Sequence, residues 1–146
     1  MRNLCALLVL SALPLALPLA AEKKVISPPE FAGGTTNFSP GILVDGTLYV
    51  SGQVGQDLKT KQIPADFETE VKTLLGNIGI VLKAAGMTYK DVVSVQVYLT
   101  DMSQFARMNA VYATFFPDPR PARTTVGVTK LAAEAAHIEI TVTAKK

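Results

Sequence analysis

The sequence predicts an α+β domain. Two amphipathic helical stripes alternate with runs of β-branched and alternating residues, in the order strand, strand, helix, strand, helix, strand, strand. A sheet carrying both helices on one face buries those stripes, and 146 residues leave room for a single such domain.

Each element has a local reason. Residues 22–40 are rich in proline, glycine, serine and threonine and read as an extended lead-in with turns. Ile42-Leu43-Val44 and Thr47-Leu48-Tyr49-Val50 flank Asp45-Gly46. That pair is a hairpin signal, because a primed turn needs positive φ at both central positions. Ser51-Gly52-Gln53 ends the second strand, and residues 56–62 read as a polar loop. Asp66 can cap a helix whose Phe67, Val71, Leu74, Leu75, Ile78, Val81, Leu82 and Ala85 form one apolar stripe, with Gly86 placed to stop it. Val93, Val95, Val97 and Leu99 alternate with Ser94, Gln96 and Tyr98 as a half-buried strand. Asp101 with Gln104 is a capping-box pattern for a second helix through Phe116, and Pro117, Pro119 and Pro121 forbid its continuation. Residues 124–128 are rich in β-branched side chains. Residues 136–144 alternate strictly, with Ala136, Ile138, Ile140 and Val142 on one face and His137, Glu139, Thr141 and Thr143 on the other.

The N-terminus reads differently. Met1-Arg2, an apolar run from Leu4 to Leu19 and the small residues Ala20 and Ala21 have the order of a secretory signal peptide. Residues 1–21 are therefore expected to be a signal and 22–146 the domain, in a periplasmic or secreted protein. The run is short and interrupted by Pro14 and Pro18, so no stable membrane anchor is expected after cleavage; a retained anchor is the rival reading. Cys5, the only cysteine, falls in this segment, which leaves the domain without a thiol or a disulfide.

Charge excludes one class of partner. The formal charge of +2 falls to +1 without Arg2. Lys59-Thr60-Lys61 and Lys145-Lys146 are small clusters with no interleaved aromatics, so no nucleic-acid footprint is expected. The single histidine, His137, makes no metal constellation and reads as an exposed strand residue on the face of Glu139. No phosphate-cradling loop and no Ser/His/Asp triad can be assembled, so neither a cofactor nor a metal is expected.

One constellation carries chemistry. If the chain reverses about Leu131, residues 122–128 and 136–144 form a hairpin and Arg123 falls opposite Glu139. Such a pair suits a site that grips an anion and moves protons; it equally describes a solvated ion pair of little energetic weight.

The segment Pro121-Ala122-Arg123, a β-run, a short gap and Ile138-Glu139-Ile140 resembles the C-terminal signature of the Rid/YjgF family of enamine/imine deaminases. Leu48-Tyr49-Val50-Ser51-Gly52-Gln53 is similar to the family's early strand, and Asn77-Ile78 through Ala84-Ala85-Gly86 to its first helix. Residues 95–101 resemble its middle strand, and Asn109-Ala110-Val111-Tyr112 with Phe115-Phe116 its second helix. The resemblance runs in order from Phe38 to Val142. It implies a chorismate-mutase-like domain, a homotrimer with clefts between subunits, and hydrolysis of 2-imino or enamine acids to 2-oxo acids and ammonia.

By that resemblance Arg123 binds the substrate carboxylate, as a guanidinium fork can. Glu139 handles the proton of an attacking water, its pKa raised by burial and lowered by any nearby Arg123. Ser51 and Asn109 are implied as orienting residues, although a strand-end serine and a helical asparagine are ordinary surface residues as well. Phe38 stands where the family has a cleft tyrosine, which keeps an aromatic wall, removes a hydroxyl and implies a slower rate or a preference for apolar side chains. Thr125 stands where founding members have cysteine; its backbone carbonyl still offers a place for a water. The alternative function is a trimeric binding protein for small carboxylates that uses the same cleft without turnover. A holdase or RNA-directed role finds no specific residue.

Overall fold

A computed structural model describes residues 22–32 and 37–146. The expected signal peptide, residues 1–21, lies outside the described residues. The chain runs β1 (Lys24–Ile26), β2 (Gly41–Val44), β3 (Thr47–Val54), α1 (Phe67–Ala84), β4 (Val92–Leu99), α2 (Phe105–Phe115), β5 (Ala122–Gly127) and β6 (Ile138–Lys145). The strands make one mixed sheet in the order β1-β2-β3-β6-β4-β5, with both helices on one face. The expected α+β architecture is the one observed. β1 is an addition: part of the segment read as a lead-in pairs with β2, Val25 against Ile42.

Local rules hold at several junctions. Asp45 and Gly46 both have positive φ and join β2 to β3. Asp66 caps α1 by accepting a bond from the Thr69 backbone N–H at 2.8 Å, and Gly86 sits just past the helix end at φ 72°. Asp101 instead caps a single 3₁₀ turn, Met102–Gln104, that leads into α2, so the expected capping box is not formed. In β4 an irregularity between Val92 and Ser94 turns Val93 out to solvent at 51 % exposure, and Val92 takes the core place expected for it.

The larger correction concerns the last two strands. β5 and β6 do not form a hairpin. β5 returns through α2 to pair parallel with β4, and β6 inserts antiparallel between β3 and β4. The connection between them is pinned at both ends to the end of β4: Val128 N–H donates to the Leu99 carbonyl, and Thr100 N–H to that of His137. Burial decides the order. Ile138, Ile140 and Val142 are at most 1 % exposed, and each large aliphatic side chain so buried contributes about 1.5–3 kcal/mol. β5 buries no residue fully, and takes the edge.

Candidate functional site

β4 separates Arg123 from Glu139. Arg123 pairs with Val95 and Glu139 with Tyr98, positions three apart on one strand and so on opposite faces. Arg123 points to the helix side and Glu139 to the face that no helix covers. Within one chain the expected pair does not meet.

Around Arg123 the structure builds a cationic cleft of about 700 Å³ between α2 and the approach to β5. The guanidinium lies 4.6 Å from the Tyr112 ring centre and 5.7 Å from that of Phe105, within cation–π distance of both aromatic rings. Among the described residues no carboxylate lies within ion-pair distance of it. Asn109 lines the same cleft, as does Arg120. The hydroxyls of Tyr112 and Thr125 are buried and have no hydrogen-bond partner among the described residues. Burial pushes the Tyr112 hydroxyl up from its ordinary pKa, against the opposing pull of Arg123 and Arg120.

Glu139 belongs to a second group. It pairs with Val54 beside a break in the β3–β6 ladder between Val50 and Gln53, and its carboxylate packs against Gly52. A Cβ at residue 52 would collide with Glu139 Oε1, so only glycine admits the carboxylate there. Burial raises the Glu139 pKa above the ordinary carboxylate range. With Arg123 on the far face, desolvation is the one cause at work. Ser51 lies beside this group, but its hydroxyl donates to the Ser39 carbonyl at 2.6 Å and so ties down the loop that leads into β2. Phe38, 60 % exposed, lines a neighbouring cleft with Gly52 and Pro40.

The predicted residues thus fall into two halves: Arg123, Asn109 and Thr125 on one edge, and Glu139, Ser51 and Phe38 on the other side. His137 leaves the face expected for it. Its Nδ1 meets Glu70 Oε2 at 2.8 Å, and its backbone N–H donates to Glu70 Oε1 at 2.8 Å. Among the described residues no group of three His, Cys, Asp or Glu side chains could hold a metal.

Tyr112, Arg120, Gly52 and Glu70 were not among the site residues expected from the sequence. Glu70 had a legible signal: it lies three residues after Phe67 on the apolar stripe, where a charged residue is buried only with partners.

This is an α+β protein with a mixed sheet covered by helices on one face, and an edge cleft lined by arginines. A family model described as Endoribonuclease L-PSP matches residues 32–146, and the chain belongs to that family, the Rid/YjgF family. It is 39% identical over 119 residues to the 2-iminobutanoate/2-iminopropanoate deaminase of Rattus norvegicus, covering 81% of this chain and 86% of that one. A RutC family protein of Sulfurisphaera tokodaii is 43% identical over 110 residues, 75% of this chain and 87% of its own. Among solved structures, the Rid family protein YyfA of Yersinia pestis superposes with a TM-score of 0.81 at 31% identity, covering 86% of this chain and 100% of that chain.

Proposed function

We propose that this protein is a hydrolytic deaminase that converts reactive 2-imino or enamine acids to 2-oxo acids and ammonia. The observation that carries the reading is the half-buried Glu139 carboxylate, seated against Gly52 with raised proton affinity. The deaminase name of the rat relative supports it.

Arg123 takes the substrate carboxylate through paired N–H bonds, with Asn109 beside it. Water adds to the imine carbon as Glu139 removes its proton, giving a tetrahedral amino alcohol. Glu139 then returns the proton to nitrogen, the C–N bond breaks, ammonia leaves and the 2-oxo acid remains. A carboxyl with raised proton affinity suits both halves of that transfer.

One subunit alone cannot assemble this site, because its two halves leave opposite faces of the sheet. We propose a homotrimer in which the β5 edge and α2 of one subunit face the Gly52–Glu139 region of the next. The uncovered sheet face supports that arrangement: Tyr49 and Val126 are exposed there, and no second layer of described residues lies over them. The apolar N-terminal run further supports export to the periplasm or beyond, which cell fractionation of the full chain tests.

The deciding experiment generates 2-iminobutanoate with an amino-acid oxidase and follows its decay with and without the protein. Acceleration by the wild type that is lost in Arg123→Ala is the expected result. Wild-type decay at the buffer rate would overturn the reading. Ligand-dependent melting without turnover would then favour the binding protein.

A further inference from the structure

We propose that the Arg123 cleft selects ligands bearing two carboxylates, so that its preferred substrates are the 2-imino acids of acidic amino acids. This rests on the imine-hydrolysis reading for the reaction, but not for the binding preference itself.

The cleft holds more cationic capacity than one carboxylate uses. Arg120 and Arg123 both line it, and no carboxylate is among its lining residues. A substrate's 2-imino carboxylate is bound by Arg123. That leaves Arg120. Its acidic neighbour is Asp118, at 3.6 Å with both side chains well exposed, a separation too long for a good charge-assisted bond and a pair of little energetic weight. A ligand carboxylate can replace Asp118 at small cost.

The lining itself favours a polar side chain on the ligand. The remaining wall is built from Ala106, Ala110 and Ala113, which leave space but offer little apolar surface to grip a bulky hydrocarbon. Within one subunit the cleft of about 700 Å³ exceeds what a five-carbon diacid needs. The preference for apolar side chains implied by Phe38 is the opposite expectation, and Phe38 lies in the other half of the site.

Calorimetric titration of the full chain at low salt with 2-oxoglutarate and 2-oxobutanoate, the products of the two substrate types, tests this. Wild type is expected to bind 2-oxoglutarate about tenfold more tightly, the gain of one additional charge-assisted contact. In Arg120→Ala the ratio is expected to fall to within about twofold, and Arg120→Lys to restore part of it, as loss of a bidentate fork predicts. Equal or tighter binding of 2-oxobutanoate would overturn the inference, as would a preference that survives Arg120→Ala. Turnover of imines made from glutamate and from 2-aminobutanoate separates the two claims. A preference for 2-oxoglutarate without turnover removes the deaminase reading and leaves the selectivity standing. Turnover of both imines with no preference does the reverse.

Discussion

Arg123 and Glu139 leave the sheet on opposite faces, because their partners on β4, Val95 and Tyr98, are an odd number of residues apart. A site needing both groups takes one from each of two subunits. Arg123→Ala and Glu139→Ala are each expected to lose nearly all imine hydrolysis as pure proteins. Subunits of the two variants, mixed before assembly, are expected to recover about a quarter of wild-type activity, since one interface in four of a randomly mixed ring joins an intact Arg123 to an intact Glu139. Imine decay with the co-assembled protein measures it; no recovery would place both groups in one subunit's site.

Gly52→Ala should act through Glu139. A methyl group at residue 52 strikes Oε1, so the carboxylate must move or the break in the β3–β6 ladder must open. A displacement of this kind in a catalytic group costs about a hundredfold in kcat. Added to Glu139→Ala, the same substitution is expected to cost little more, because the two act on one group. Steady-state kinetics of the two single variants and the double variant read the coupling directly.

How much of this was legible follows the physics of each element. Asp66, Gly86 and Asp45-Gly46 act through local backbone geometry, which a short window of sequence carries, and all three stand where expected. The partnership of β5 and β6 was not local. It turned on competition for the sheet centre, won by the four buried residues Ile138, Ile140, Val142 and Ala144 over a strand that buries none. A ten-residue connection is compatible with a hairpin or with a passage over the end of β4, and length alone does not separate them. The family resemblance pointed to Arg123, Asn109 and Glu139 but carried no information on which face each would take. β4 shows the limit of alternation: one irregularity exchanged Val92 for Val93 in the core.

Glu139 gives the fold a pH dependence of known sign. The folded carboxyl holds its proton more tightly than the unfolded one, so its contribution to stability is fully present below the ordinary carboxylate range. It is lost as pH rises through the raised folded value. Glu139→Gln is therefore expected to melt higher than wild type at about pH 7, with the gain vanishing near about pH 3, where both states carry the proton. Catalysis moves in the opposite sense, because the base form is required to take the proton from water. kcat/KM is expected to rise with pH as Glu139 loses its proton. Thermal melts and a pH–rate profile test the two halves.

Glu70 is a carboxylate of the opposite kind, one whose partners support the fold. It is fully buried on α1, and its two oxygens take the His137 backbone N–H and ring Nδ1 at 2.8 Å each. Gly55 packs so closely on it that a Cβ there would strike the Glu70 Cγ. The pair clamps the residue just before β6 to the first turn of α1, two positions from Glu139. Truncation leaves a buried N–H without its acceptor and opens a gap in close packing. Glu70→Ala is expected to lower stability by about 3 kcal/mol, whereas Glu70→Gln, which keeps an acceptor for the N–H, loses about half of that. Melting temperatures at one fixed protein concentration, which holds assembly constant, give the comparison. Because the clamp also sets where β6 begins, Glu70→Ala is expected to lower kcat more than Glu70→Gln does. Equal melting of wild type and Glu70→Ala would show that the buried carboxylate costs as much in desolvation as its two bonds return.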